Sequence, residues 1–179
     1  MELKRNDKER AIGGVGFSFD LYNPDVLDFI EERSYRFWEE VNKTTKKKLH
    51  SVLKVSVEEG IGVEELTVAL QESVFAELEE FSGFNRARRI ARTETTIALN
   101  QGANFAYEQS GVVEGKSWLT AGDENVRESH VAAEAQGVIP IDERFGNGLM
   151  FPGDPEGAVS ELVNCRCSLI PEISIGENE

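Results

Sequence analysis

Two cysteines and a histidine are the residues of this sequence whose types best suit metal chemistry. Cys165 and Cys167 are its only two cysteines, and a single arginine separates them. On a strand both sulfurs would point to the same side, because side chains alternate along a strand. A disulfide between such near neighbours would be strained. Two thiolates, His130 and one further ligand would instead suit a tetrahedral zinc ion.

The spacing of these residues leaves a simpler interpretation open. The paired CxxC pattern of common zinc sites is absent from the sequence. Free cysteine is among the most buried residue types, so Cys165 and Cys167 could both be small core residues. His130 could likewise be a buried histidine that makes structural hydrogen bonds.

Asp123, Arg127 and His130 form a second group, at spacings of four and three residues. A helix predicted from Asp123 to Ala135 would place all three side chains on one face. The Asp123–Arg127 pair would then contribute a few tenths of a kcal/mol, as ordinary pairs at this spacing do. Arg127 would also disfavour protonation of His130, which suits a neutral imidazole that binds a metal or orients a backbone group.

Basic residues are concentrated in two places on predicted helices. The first group is Lys43, Lys46, Lys47 and Lys48. The second group is Arg86, Arg88, Arg89 and Arg92. Each could contact DNA or an acidic partner, or could be a solvated face paired with nearby acids. The chain has 33 acidic and 19 basic residues and a net charge of −14, so any DNA contact must be local.

The sequence shows no other catalytic set, and an enzyme is not predicted. It has no P-loop, no GxSxG and no HExxH motif. No apolar stretch approaches the roughly 18 residues that a membrane helix needs. The charged segment from Met1 to Arg10 lacks the apolar core of a secretion signal. We therefore expect no membrane partner, and a protein made in a cytoplasm or enclosed in a particle assembled there.

Residues 1–110 are predicted to form an arm and a helical region of about three helices. Residues 1–22, with three glycines, are predicted to be a flexible arm. A helix should begin at Asn23-Pro24 and run past Val52, before Gly60-Ile61-Gly62 breaks it. A second helix is predicted from Val63 to Leu78. After a break at Ser82-Gly83, a third is predicted from about Asn85 to Tyr107.

Residues 111–171 are predicted to form a small α+β module, so the whole chain belongs to the α+β class. Its predicted elements are a strand within 112–120, the helix from Asp123, a strand at 138–141, a loop over 142–160 and a last strand within 162–171. Residues 172–179 are predicted to be a polar tail.

The order of several motifs resembles one known family. Arg-Thr-Glu-Thr at 92–95 is followed by Lys-Ser-Trp-Leu-Thr-Ala at 116–121, then by Asp123, Arg127 and His130. Phe151-Pro152-Gly153-Asp154-Pro155 then precedes Asn164-Cys165-Arg166-Cys167. In this order and spacing the series resembles the phage head morphogenesis family, the Mu F-like minor head proteins, from about Asn85 to Pro171. The family-shared positions would be Arg92, Thr93, Glu94, Trp118, Asp123, Arg127, His130, Asn164, Cys165 and Cys167.

This resemblance implies a minor capsid protein that acts in head morphogenesis. Such a protein would be associated with the portal vertex and with packaged double-stranded DNA, and its partners would be the portal and other head proteins. It would lie in the virion interior, and in the host cytoplasm during assembly. The resemblance also favours a meeting of His130, Cys165 and Cys167 in space, with zinc as the candidate cofactor.

An enzyme built on the same residues is the alternative. His130 would serve as a base and the cysteines as ligands of a metal-dependent hydrolase or nucleotide-modifying enzyme. An open coordination position beside Asp123 or Glu94 would favour this alternative. A closed site would favour the structural protein.

Overall fold

The computed structural model of the protein describes residues 43–78 and 80–173. The predicted arm over 1–22 and the predicted helix start at Asn23 lie outside these residues. The described chain combines helices with a three-stranded antiparallel sheet, which confirms the predicted α+β class.

Three helices form the first part of the described chain. They are α1 (Lys43–Glu59), α2 (Val63–Ser73) and α3 (Glu80–Ser110). The predicted break after α1 is confirmed, because Gly60 has a φ of 66°, which glycine adopts at little cost. The helices share one apolar cluster, here called the helical core. Its buried members are Leu49, Leu53, Leu66, Leu70, Phe75, Ala87, Ile90 and Ala91.

The predicted end of α2 is wrong. The helix stops at Ser73 and Val74 is its C-cap, so the helical stripe does not continue to Leu78. Leu78 is exposed, whereas Phe75 is buried in the helical core from a position beyond the helix end. Apolar spacing could not distinguish this turn from a further helical turn, because Phe75 serves the same core from either conformation.

The predicted break at Ser82-Gly83 is also wrong, since both residues lie inside α3. A Cβ atom at Gly83 would lie 2.9 Å from the amide nitrogen of Gln71 in α2. Gly83 therefore lies against the end of the Gln71 side chain. Glycine weakens the interior of a helix but does not by itself end the helix.

The second part of the chain is built on a small sheet. Its elements are β1 (Val113–Leu119), α4 (Glu128–Ala135), β2 (Ile139–Pro140), α5 (Val159–Leu162) and β3 (Ser168–Ile173). The strand order is β2-β1-β3, and both pairs are antiparallel. Trp118 of β1 lies opposite Leu169 of β3, and Lys116 lies opposite Pro171.

Two boundaries in this part differ from those predicted. The helix after β1 begins at Glu128 and Arg127 is its N-cap, so Asp123 lies outside it. The last strand begins at Ser168 and not near Leu162, because α5 and a turn at Asn164 occupy 159–164. Asn164 has a φ of 61°, which interrupts an extended strand.

A second apolar cluster, here called the module core, lies against the sheet. Its buried members are Trp118, Ala133, Ile139, Phe145, Leu149, Phe151, Cys165, Cys167 and Leu169. The loop between β2 and α5 also docks on α3. Gly153 has a φ of 87°, and a Cβ atom there would lie 2.6 Å from Cγ1 of Ile97. Because α3 serves both parts of the chain, the predicted joint near Gly111 stays a prediction.

We found no helix among residues 43–78 and 80–173 that is long and apolar enough to cross a membrane.

Candidate metal centre

His130, Cys165 and Cys167 come together in the module core. The Nδ1 atom of His130 lies 3.4 Å from Sγ of Cys167 and 3.7 Å from Sγ of Cys165. The three donor atoms all lie within 4.8 Å of one another. The three residues are 1%, 2% and 5% exposed, in the order His130, Cys165, Cys167. This group is here called the Cys-Cys-His cluster.

The separations in the cluster fit a tetrahedral zinc ion. Typical bonds of about 2.3 Å to sulfur and about 2.0 Å to nitrogen place S and N about 3.5 Å apart in such a site. The observed distances of 3.4 and 3.7 Å lie on either side of this value. Within the described part of the chain, no fourth His, Cys, Asp or Glu donor joins the group.

Two segments distant in sequence supply the three side chains. His130 lies in the first turn of α4, and the cysteines lie in the extended segment between α5 and β3. The prediction that the cysteines lie on a strand is wrong. Both sulfurs nevertheless face the same ring nitrogen, because residues two apart in any extended segment point to one side.

Side chains of helix α3 hold the cysteine segment in place by hydrogen bonds to the backbone of that segment. Thr96 Oγ1 donates a hydrogen bond of 2.8 Å to the carbonyl of Cys165. Asn100 donates to the carbonyl of Cys167 at 3.0 Å and accepts from the amide of Leu169 at 2.8 Å. These side chains replace a neighbouring strand along this edge.

Two residues on α3 that were predicted to be shared by the family hold the turn before the cysteines. Thr93 Oγ1 accepts a hydrogen bond of 2.8 Å from the amide of Asn164. Arg92 Nη1 donates to the side-chain oxygen of Asn164 at 2.9 Å. Glu94 lies on the same helix and is half-buried. Arg92 and Thr93 thus hold the turn that leads into the cysteine segment of the Cys-Cys-His cluster.

Trp118 forms one wall of the cluster. Its ring meets the His130 ring edge-on, with centroids 4.9 Å apart, and meets Phe145 in the same manner at 5.2 Å. The indole Nε1 is buried and has no well-aligned hydrogen-bond acceptor among residues 43–78 and 80–173. It is still close enough to Cys167 to help lower the pKa of that thiol.

The two thiols have opposite pKa shifts. A hydrogen bond from Cys165 is the largest cause that lowers the pKa of Cys167, and His130 and Trp118 add to it. The pKa of Cys165 is raised, first by its hydrogen bond to Cys167 and then by burial. One thiolate is thus favoured even without a metal, and thiolates are the form that binds zinc.

The predicted Asp123–Arg127 pair does not form. Asp123 Oδ1 accepts a 2.6 Å bond from Nη2 of Arg166, and Asp123 Oδ2 also contacts that guanidinium. Arg127 Nη2 donates to the carbonyl of Val163 at 2.6 Å. Both contacts hold the segment that carries the cysteines. The pair was wrongly predicted because the turn at 123–127 is not helical.

The predicted basic groups lie on the helices of the first part. Lys43, Lys46, Lys47 and Lys48 lie in α1, where Lys47 and Lys48 are exposed. Arg86, Arg88 and Arg89 are exposed on α3. The guanidinium of Arg86 lies 5.8 Å from the centroid of the Phe75 ring. The role of these residues stays a prediction.

Several residues of the site were not predicted. Thr96 and Asn100 continue a polar stripe from Thr93 at helical spacing, and that stripe was the available signal. Glu161 lies 3.0 Å from Nε2 of His130 and had no distinguishing signal among 33 acidic residues.

The fold and the cluster define a protein with an N-terminal helical layer and a small α+β module around a buried Cys-Cys-His group. A family model described as Phage Mu protein F like protein matches residues 47–170. The chain belongs to this family, which confirms the resemblance found in the motifs. This family is the one of phage head morphogenesis proteins.

A curated relative extends the match beyond the family model. The Bacillus subtilis protein YqbB, itself uncharacterized, is 28% identical over 162 residues. The alignment covers 87% of the present chain and 51% of YqbB. The chain therefore spans about half the length of the curated relative that it matches. No solved structure was found to match the chain.

Proposed function

We propose that this protein is a minor head protein that acts at the portal vertex during phage head assembly. The observation that carries the proposal is the family match, which spans residues 47–170 and so includes the Cys-Cys-His cluster. Its partners would be the portal and other head proteins. It would enter the virion interior after synthesis in the host cytoplasm.

Co-purification tests the proposed partner. The tagged full chain is co-expressed with the portal protein, and separately with the major head protein, of the phage or prophage that encodes it. We expect the portal protein to remain bound through size-exclusion chromatography. Retention of the major head protein alone would contradict the portal assignment.

The exposed basic residues are the proposed surface for an anionic partner such as packaged DNA. Arg88 and Arg89 are both exposed near the start of α3. In a chain of net charge −14, contact with phosphates must come from such local groups. The opposite charge elsewhere would keep the affinity modest.

Fluorescence anisotropy with duplex DNA tests this surface. We expect weak binding at low salt that decreases steeply as salt is added. Arg88→Ala/Arg89→Ala should weaken it. Lys54→Ala is the matched control, because Lys54 is exposed on α1 and lies 4.0 Å from Glu58. Absence of binding at low salt would remove DNA from the proposal.

We also propose that the Cys-Cys-His cluster holds zinc in a structural role. Zinc bound there would link α4 to the segment between α5 and β3. All three donors are almost completely buried, and Asp123 pairs with Arg166 instead of lying free beside them. This burial leaves little access for a substrate, which favours a structural centre, whereas the lack of a fourth donor among the described residues is what a metal-dependent enzyme would need.

X-ray absorption at the zinc edge tests the ligand set. Protein loaded with zinc should show two sulfur neighbours together with nitrogen or oxygen neighbours. A spectrum with only nitrogen and oxygen neighbours would show that zinc binds elsewhere on this acidic chain. Glu64→Gln/Glu65→Gln, on the exposed start of α2, is a control variant that should leave the spectrum unchanged.

A further inference from the structure

We propose that Glu161 fixes the orientation and the tautomer of His130 for metal binding, and that Ser129 in turn fixes Glu161. This inference rests on the proposed zinc site. Glu161 and Ser129 are not expected to touch the metal. They are positioning residues that act through His130.

The two ring nitrogens of His130 have different surroundings. Nδ1 faces both cysteine sulfurs, at 3.4 and 3.7 Å. Nε2 lies on the other side of the ring, 3.0 Å from Oε2 of Glu161. A histidine that gives the lone pair of one nitrogen to a metal must carry its proton on the other nitrogen. Here that proton would be on Nε2, beside a carboxylate.

The Nε2 atom needs this carboxylate because it is buried. The contact to Glu161 is short but not aligned as a hydrogen bond, and Nε2 has no aligned acceptor among the described residues. A buried polar N–H without a partner is costly. Glu161 is an acceptor 3.0 Å from this nitrogen, with its side chain 25% exposed.

Ser129 holds the carboxylate in this position. Its Oγ donates a 2.7 Å hydrogen bond to Oε2 of Glu161, the same oxygen that faces His130. Ser129 precedes His130 on α4, whereas Glu161 lies on α5, four residues before Cys165. The contact thus joins the two segments that supply the metal ligands, independently of the metal.

Histidine ligands of metals commonly donate their other N–H to a carboxylate. Loss of that partner typically reduces metal affinity about 10–100-fold. A carboxylate makes the ring more basic and also limits its rotation. For His130, the contact between Nε2 and Glu161 would be sufficient for both effects.

Zinc affinity, measured by competition with a chromophoric chelator, tests the inference. Glu161→Ala should bind zinc about 10–100-fold more weakly than the wild type. Glu161→Gln should recover part of the loss, since its amide oxygen can still accept from Nε2. Ser129→Ala should show a smaller loss. Glu128→Ala, which removes an exposed carboxylate from the same turn of α4, should bind as the wild type does.

The cobalt(II) spectrum separates positioning from direct ligation. At saturating cobalt, Glu161→Ala should keep the wild-type thiolate charge-transfer intensity and the wild-type visible bands. A changed band pattern would make Glu161 a ligand and would overturn the inference. Equal zinc affinity of Glu161→Ala and wild type would also overturn it.

Two further measurements distinguish a wrong role for Glu161 from a wrong zinc site. If the wild type binds neither zinc nor cobalt, the proposed zinc site is wrong and the inference falls with it. Circular dichroism of the metal-free variants checks that they are folded. If Glu161→Ala is unfolded, Ser129→Ala and Glu161→Gln decide the question by their own affinities.

Discussion

Single charged residues around the cysteine segment lie in two kinds of environment. Asp123 and Arg166 form a partly exposed, two-bond ion pair, and Arg127 binds a backbone carbonyl nearby. Lys116 is fully buried, and its Nζ has no hydrogen-bond partner in the described structure. The paired charges should stabilise the native state, whereas the buried charge of Lys116 should destabilise it.

Asp123→Asn should destabilise the protein at neutral pH and have less effect in acid. The hydrogen bond from Arg166, and after it the one from the backbone amide of Asn125, lowers the pKa of Asp123 from 3.8 to about 2. A carboxyl whose pKa is lowered by folding contributes stability above its unfolded pKa, and this contribution is lost as the pH falls through the folded pKa. The difference between variant and wild type should therefore shrink between pH 4 and 2.

Urea unfolding across this pH range, with chelator present throughout, measures that difference. The chelator keeps metal loss out of the comparison. Glu143→Gln, at an exposed position, serves as the control and should show little effect at any pH. A constant difference for Asp123→Asn from neutral pH to pH 2 would contradict the ion-pair explanation.

Lys116→Met should leave the protein as stable at neutral pH, or make it more stable. Burial is the largest cause that lowers the pKa of Lys116, and its Nζ lies 5.8 Å from the centroid of the Phe145 ring. Methionine keeps most of the aliphatic volume and removes the buried charge. Because folding lowers this pKa, the wild type should gain stability as the pH rises toward 10.5, and the variant's advantage should shrink.

Denaturant unfolding at neutral and alkaline pH tests this expectation, with Lys54→Met as the exposed control. A loss of about 2 kcal/mol or more for Lys116→Met at neutral pH would show that the ammonium has a favourable partner in solution.

Among single residues, the sequence alone identified the members of the candidate site whose residue types are rare in this chain. With two histidines and two cysteines in the chain, His130 and the cysteine pair could be singled out. Glu161 could not, because nothing distinguishes one acid among 33 until the fold brings it to Nε2 of His130.

At the scale of elements, α3 takes the place of a missing strand. The outer edge of β3 and the segment before it carry backbone groups that a neighbouring strand would normally bind. Thr93, Thr96 and Asn100 bind these groups from one side of the helix, and Tyr107 reaches the carbonyl of Leu169 at 3.3 Å. The helix thereby fixes the backbone on which both cysteines lie.

Asn100→Ala should therefore cost about 2 kcal/mol or more of the free energy of unfolding, because it leaves two buried backbone groups without partners. These are the carbonyl of Cys167 and the amide of Leu169. Leu99→Ala is the matched control, since the adjacent Leu99 is 68% exposed. Equal effects of the two variants in denaturant unfolding would contradict the proposed role of Asn100.

Element boundaries were predicted well where a local signal and the packing agree. The break at Gly60 is such a case. The break predicted at Gly83 was wrong because the helix continues through this glycine, which within a helix costs only about 0.5–1 kcal/mol. The helix predicted from Asp123 was wrong because Asp123 turns back to Arg166, a partner 43 residues away. Partners at such distances are not visible in local spacing.

At the scale of the whole molecule, one long helix joins two apolar clusters. The first half of α3 gives Ala87, Ile90 and Ala91 to the helical core. Its second half binds the cysteine segment, and the half-buried Tyr107 packs against the module core. A partner that binds the exposed arginines in the first half of α3 would thus contact the helix that also holds the cysteine segment.

The fold class and the family could both be predicted from the sequence. The order and spacing of several motifs are specific even where each single motif is weak. The docking of the loop through Gly153 onto Ile97 could not be predicted, since it depends on the packing of α3 against residues more than 50 positions away. The family match carries the head assignment, and the geometry of the cluster carries the zinc proposal.

The zinc content of the purified full chain tests the central claim most directly. The wild type, purified without chelator, should contain about one zinc per chain, as a single tetrahedral site requires. A strong chelator should remove the zinc and lower the melting temperature. Cys165→Ser/Cys167→Ser should contain no zinc, and its melting temperature should not respond to chelator. Wild-type protein that holds no zinc even after zinc is supplied, and that melts at the same temperature with and without chelator, would contradict the claim.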